Sequence, residues 1–272
     1  MKFGVSTFVT DEGISPAALG PALEERGFTS LYVAEHTHIP VSRESPYPGG
    51  GELPREYYRT LDPFVTLAVA GAATSRLEVG TGIALVNQRD PILLAKELAS
   101  LDLVTGGRAV FGVGAGWNRE EMRHHGTDPT TRMARMREYV LAVREIWEHD
   151  QAEFHGEFVD FAPIFCWPKP VRRPPVLVGG WGEKTFDRVL EYGDAWMPVA
   201  GRDRQGRLAK AVADLRSRAG RHVPVVAYGA SAKPDAVEQL TLAGVDEILF
   251  FLPTGPADQT LAHLDTMAEL TT

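Results

Sequence analysis

Cysteine is nearly absent: Cys166 is the only one in 272 residues. An intramolecular disulfide is thereby excluded, which suits a reducing cytoplasm. Its setting, FCWPKP, holds no histidine partner, so the thiol reads as inert rather than nucleophilic. No apolar run approaches the roughly 20 residues of a membrane span. The first residues, MKFGVSTFVTDEG, lack the apolar segment and small-residue cleavage site of a signal peptide. No membrane partner is expected, and a soluble, cytoplasmic protein is. Positive charge is also short. With 28 Lys+Arg against 36 Asp+Glu the net charge is -8, which argues against a nucleic-acid surface. No internal repeat or low-complexity tract is evident.

What is present is a regular alternation of short apolar runs and helical patterns. Strands are expected over 2–9, 30–35, 77–85, 108–114, 175–180, 195–199, 223–228 and 247–252. Helices are expected over 15–26, 61–74, 90–103, 131–149, 183–192, up to 219, 234–242 and 258–270. Asp62-Pro63 and Asp90-Pro91 read as cap and first helical position. Met136, Tyr139, Val140, Val143 and Trp147 are spaced to fall on one face of the long amphipathic helix expected over 131–149. The strand runs are apolar throughout, as in a sheet buried on both faces. Eight strands, each followed by a helix, predict a (β/α)8 TIM barrel spanning 1–272 as a single domain. The competing open doubly wound sheet would carry GxGxxG after the first strand; that strand ends in Thr7-Phe8-Val9-Thr10 instead.

Two insertions break the rhythm. Residues 37–60, rich in Pro and Gly, follow the second strand and so lie at the face where such barrels carry their chemistry. They read as a substrate lid. Residues 151–174 precede the fifth strand.

The strand ends supply the candidate chemistry. The second ends in Ala34-Glu35-His36-Thr37-His38, and an imidazole at a barrel mouth suits acid-base work near neutral pH. The third, VGTGIAL, contains Gly80 and Gly82, which suit a bend or a close ligand. The fourth runs into GVGAGWNREE and the fifth into GGWG, each opening a helix. Such turns offer backbone N–H groups to an anion, and the pair points to a phosphate-bearing ligand.

The segments AEH, VGTGIALVNQRDPILLAKELASLDLVTGGR, GVGAGWNREE and PVLVGGWGEKTFDRVLEYGDAWMP resemble the luciferase-like monooxygenase and deazaflavin-dependent oxidoreductase superfamily along nearly the whole chain. The likeness is nearest to the branch that uses coenzyme F420. It implies hydride transfer between that cofactor and a small-molecule substrate, with FMN and dioxygen as the alternative. It implies a cis peptide between Gly82 and Ile83 beneath the ring, and His36 as the catalytic residue at the ring edge. Cofactor contacts would come from Glu35, Gly82, Ile83, Gly114, Ala115, Gly116, Asn118, Gly179, Gly180 and Trp181. Thr7 and Trp117 would line the substrate pocket. Sugar-phosphate dehydrogenases of the superfamily carry an acidic Glu where this chain has Trp117, which puts that acid-base pair and that substrate in doubt. An acidic cofactor tail would need a basic rim, for which Arg119, Arg123, Lys169, Arg172, Arg173 and Lys184 are candidates. A homodimer through the second and third helices is also implied. Two other classes remain open. His36-Thr37-His38 with His124-His125 could mark a metal-dependent hydrolase, although the strand-one HxH and strand-eight Asp of such barrels are missing and no metal is expected. A non-catalytic flavin-binding barrel is the third possibility.

Overall fold

The computed structural model describes residues 1–203 and 206–271. Its eight barrel strands are Lys2–Thr7, Ser30–Val33, Glu78–Thr81 continued by Ala84–Leu85, Ala109–Gly114, Val176–Gly179, Ala195–Met197, Val226–Ala230 and Glu247–Phe251. All pair in parallel, running seventh, eighth, first, second, third, fourth, fifth, sixth. Two isolated parallel bridges, Trp196 to Val225 and Val199 to Tyr228, join the sixth strand to the seventh and bring the sheet round on itself. The expected (β/α)8 barrel is therefore the fold.

Register explains the layering. Pairs such as Lys2–Glu247, Val5–Leu31, Val79–Ala109 and Leu177–Ala195 set alternate side chains inward. Tyr32, Val110, Leu177, Ala195, Met197, Val226 and Leu249 fill the interior, so the barrel is a packed core rather than a channel. The opposite side chains pack under the helices, with Leu19, Leu67, Leu94, Leu98 and Val140 fully buried. Helix starts follow their caps: Asp62 accepts from the amides of Phe64 and Val65, and Asp90 from that of Leu93.

Two departures from the sequence reading have local causes. The seventh strand begins at Val226 rather than Val223. Pro224 has no N–H for the ladder, although its carbonyl still accepts from Trp196. The second insertion is an antiparallel hairpin, Ala152–His155 with Asp160–Ile164. The turn is held by Glu138, whose carboxylate accepts from the amides of Glu157, Phe158 and Val159. The helix expected to open after the fourth strand is there and is short, Arg119–His124.

At the opposite end from the strand C-termini, Arg108 clamps two layers. Its guanidinium donates to the carbonyls of Gly71, Thr74, Leu77 and Thr105 and to the Thr74 hydroxyl, at 2.6–3.0 Å. This joins the end of helix Pro63–Ala72 to the start of the third strand. Arg108→Ala leaves those acceptors without their donor and should lower the free energy of unfolding by about 3 kcal/mol. Arg137→Ala, at an exposed ion pair with Glu191, should change it by less than about 1 kcal/mol. Urea unfolding of the two variants measures the difference.

Candidate functional site

The third strand is interrupted just where the mouth begins. The peptide between Gly82 and Ile83 is cis, as the resemblance implied. Ile83 then lies across Gly114 of the fourth strand, so closely that a Cβ on Gly114 would overlap its side chain. The ring of Tyr228 packs where a Cβ on Gly82 would stand, 2.5 Å away. These two glycines thus admit neighbouring side chains, and Ile83 becomes a ridge on the floor of the mouth.

Glu35 holds this break in place. It is buried at the end of the second strand and accepts from the Leu85 amide at 2.6 Å. Arg89 donates to it at 2.5 and 2.8 Å and reaches on to Asp62 and Glu97 at 2.8 and 3.0 Å. Burial pushes the Glu35 carboxyl up, and Arg89 and the Leu85 amide pull it back. Glu35 touches the cavity wall, but its carboxylate is committed to backbone and arginine.

The cavity is about 460 Å³, within the range of small-molecule sites. Of the expected residues, Glu35, His36, Gly82, Ile83, Gly114, Ala115, Gly116, Trp117, Gly179, Gly180 and Trp181 line it. Two do not. Thr7 donates from its hydroxyl to the Leu252 carbonyl at 2.8 Å and borders a separate, very small void, so Phe8 takes its place on the wall. Asn118 is buried as the cap of the short helix, its Oδ1 accepting from the Glu121 amide and its Nδ2 left without a partner. Tyr57, Met197, Val199, Arg202 and Tyr228 are among the further wall residues that were not foreseen. Tyr57 comes from a four-residue helix in the lid, Glu56–Arg59, and Arg202 from a single 3-10 turn, Ala200–Arg202, elements too short to show a period.

His36 is held by a residue that sequence reasoning missed. Its Nδ1–H donates to Glu121 Oε2 at 2.8 Å, and Glu121 Oε1 accepts from the Thr37 amide at 3.2 Å. The Glu121 side chain is buried. With a carboxylate accepting at Nδ1, Nε2 is the nitrogen left free. Tyr57 and Trp117 flank the imidazole at 5.3 and 5.7 Å between ring centres. A signal was there: Asn118 and Glu121 have the spacing of a capping box, in which the glutamate would turn back to the cap amide. Here it turns to the histidine instead.

At the far end, Gly180 and Gly182 take φ of 123° and 92°, a turn that L side chains resist. No side chain caps helix Glu183–Tyr192, and a Cβ on Gly182 would meet nothing within 4 Å. The helix N-terminus therefore faces open space beside the cavity, the arrangement that accepts an anion. Arg202, for whose side chain no hydrogen bond or ion pair is found among the described residues, lines the same cavity. The expected basic rim is only partly there. Arg172 pairs with Glu78 at the start of the third strand and Arg173 with Asp194 before the sixth. Lys169 caps the carbonyls of Ile146 and His149 at the end of the long helix. Those three belong to the opposite face, because the segment that carries them leads into a strand rather than out of one. His38, His124 and His125 gather around Thr37 outside the cavity. Among the described residues no group of three or more His, Cys, Asp or Glu could hold a metal, and no helix is long and apolar enough to cross a membrane.

The first insertion covers the mouth. The Ser45 hydroxyl and amide donate to the buried carboxylate of Glu120, and the Arg119 amide donates back to Ser45 Oγ. Arg55 and Arg59 tie its far end to Glu12 and Asp11. Adjacent carboxylates on one short helix thus serve different partners, Glu120 the lid and Glu121 the histidine.

Comparison with known proteins agrees with this geometry. The family described as Luciferase-like monooxygenase matches residues 15–265. The uncharacterized protein Rv0953c of Mycobacterium tuberculosis (strain ATCC 25618 / H37Rv) is 41% identical over 275 residues, covering 98% of each chain. Among solved structures, monooxygenase RslO1 from Streptomyces bottropensis superposes with a TM-score of 0.80 at 21% identity, covering 99% of this chain and 98% of that one. The coenzyme F420 dependent tetrahydromethanopterin reductase from Methanopyrus kandleri gives 0.72 at 15%, covering 98% and 97%.

The lid anchor carries a pH dependence. Burial pushes the Glu120 carboxyl up, but the Ser45 hydroxyl and amide outweigh it and hold it at about 2, below its ordinary 4.5. A depressed carboxylate stabilises the docked lid above its ordinary value and loses that effect as pH falls toward the lowered one. Lid opening, followed by limited proteolysis of residues 37–60, should therefore set in below pH 4.5. Ser45→Ala should move the onset to higher pH.

Proposed function

The chain belongs to the luciferase-like monooxygenase family, and from that premise we propose that it is an oxidoreductase transferring hydride between coenzyme F420 and a small organic substrate in the barrel mouth. The observation that carries this reading is the polarity of one cavity. A free imidazole nitrogen stands at one end, an uncapped helix N-terminus with Arg202 at the other, and the Ile83 ridge forms the floor between them.

These residues fit a flavin-type cofactor. The turn at Gly179, Gly180 and Trp181, with Arg202 beside it, would take the phosphate, where backbone amides and one guanidinium meet. Gly114, Ala115 and Gly116 would border the tail, and Ile83 would press on one face of the ring. When bound, the reduced deazaflavin supplies the hydride. The chain's part is orientation and proton handling. Glu121 fixes the His36 tautomer, so that Nε2 gives or takes the proton at the substrate heteroatom bonded to the carbon that gains or loses hydride. Tyr57, Trp117 and Phe8 keep that end apolar and exclude water. Burial pushes the Tyr228 phenol up, so a phenol already neutral at its ordinary value stays protonated on the cavity wall.

A second reading, reduced FMN with dioxygen, keeps its place for a specific reason. Three of the six cations expected around an acidic tail lie on the opposite face, which weakens the case for a polyanionic cofactor. Side-by-side titration with FMN and coenzyme F420, followed by cofactor fluorescence, separates the readings. With a substrate turned over by the parent enzyme, His36→Ala should lower turnover by about 10²–10⁴ and change cofactor affinity little. Full turnover in that variant would remove His36 from the mechanism.

The same proposal makes the protein a cytoplasmic homodimer. Val65, Val69, Leu93 and Val104 stand exposed on the second and third helices, apolar surface that a partner would cover. Light scattering at micromolar concentration should give the dimer mass, and a monomer throughout would refute it.

A further inference from the structure

Three histidines at the root of the lid take no part in the cavity wall or in the proton transfer. His38 stands where the lid begins, and His124 and His125 close the short helix Arg119–His124. His38 Nε2 and His124 Nδ1 are 2.8 Å apart, with their rings within 13° of parallel. Thr37 Oγ1 lies 2.9 Å from His38 Nδ1, 2.8 Å from His125 Nε2 and 3.3 Å from Gln88 Oε1.

Each of these contacts needs one hydrogen between its two heavy atoms. With all three imidazoles neutral the set is complete. His124 Nδ1–H donates to His38 Nε2, His38 Nδ1–H to Thr37 Oγ1, and the Thr37 hydroxyl to His125 Nε2. A proton added to His125 is tolerated, because the hydroxyl can turn to Gln88 Oε1. One proton on the His38–His124 pair is tolerated too, because one of the two facing nitrogens still accepts. A second is not. Two N–H groups and two like charges then face each other at 2.8 Å.

No carboxylate offsets that charge. His149, His155 and His222 each stand 2.6–2.9 Å from one, whereas among the described residues His38, His124 and His125 form no ion pair. The charged groups around the cluster are already engaged. Glu121 accepts from His36 and from the Thr37 amide, Arg89 pairs with Glu35, and Arg123, next to His124, pairs with Glu44 of the lid. Burial, followed by the His38 imidazole, holds His125 below its ordinary 6.5, with Glu121 opposing. A group lowered in this way stabilises the contact above 6.5 and loses that effect as pH falls toward the lowered value.

We propose that His38, His124, His125 and Thr37 form a pH-sensitive latch. It fastens the root of the lid to the helix Arg119–His124 while the imidazoles are neutral and releases it when His38 and His124 are both protonated. The latch reaches the site through Thr37, whose amide is the second donor to the carboxylate that orients His36. It works between pH 6.5 and 4.5, above the range in which Ser45 lets go of Glu120. The root therefore detaches while the middle of the lid stays docked. Nothing in the latch depends on which cofactor the cavity takes.

Hydrogen–deuterium exchange of the full chain, corrected for the intrinsic effect of pH on exchange and read by mass spectrometry, tests it at about pH 7.5 and about pH 5.5. In the parent, peptides covering residues 34–42 should exchange at least about fivefold faster at the lower pH, and those around Ser45 should not change. His124→Asn keeps a hydrogen-bonding group but cannot be charged, so its lid root should stay protected at both pH values. His124→Ala has neither, so its root should exchange fast at both. An equal rate at the two pH values in the parent, or a pH difference that survives undiminished in either variant, overturns the proposal. Loss of protection around Ser45 at the lower pH also overturns it, since the loosening would not be confined to the latch.

Discussion

The buried carboxylate of Glu35 meets the amide of Leu85 and the guanidinium of Arg89, and the whole mouth is arranged around that contact. A strand interrupted at Gly82–Ile83 has lost part of its ladder, and the Leu85 amide must find an acceptor elsewhere. Glu35 supplies it from the neighbouring strand. Burying that charge is unfavourable unless it is paired, and Arg89 pairs it while also reaching Asp62 and Glu97. The break in the third strand, the cap of the second helix and the side of the third helix are thereby joined in one network. Arg89 also lies over the ring of Phe64 at 4.6 Å, which shields it. With this network in place, Ile83 can stand as a ridge instead of a strand residue.

A second division of labour follows on the other side of the mouth. Glu120 and Glu121 are consecutive on a helix of six residues, so they point in different directions. One docks the lid and the other orients His36. Movement of the lid and placement of the imidazole therefore share a single short element, and a shift of that helix would be felt at both. The family likeness fits this economy: the barrel is common property, and the particular chemistry belongs to loops and strand ends.

Much of this was open to reading from the chain. The apolar runs and the Asp-Pro caps located nearly every barrel element, because a strand buried on both faces and a capped helix leave local marks. The Gly-rich turns after the fourth and fifth strands were legible for the same reason, and so was His36, at a strand end next to a lid. Thr7 misled, since a side chain at a strand end can turn toward the neighbouring carbonyl as easily as toward the mouth. Asn118 caps the short helix, a role that looks identical to a ligand role in sequence. The basic rim was half wrong, since charge along the chain carries no record of which end of the barrel it reaches.

The sequence by itself determined the barrel, the direction of its strands and the face on which chemistry could sit, because hydrophobic period and turn chemistry are properties of neighbours along the chain. Only the tertiary structure decided that Glu121 serves His36 across 85 positions and that the Glu35 carboxylate meets the Leu85 amide and Arg89. Those pairings depend on where strands and loops meet after the sheet has curled round. The free energy of burying a charge, which selects its partner, exists only once that closure has excluded water.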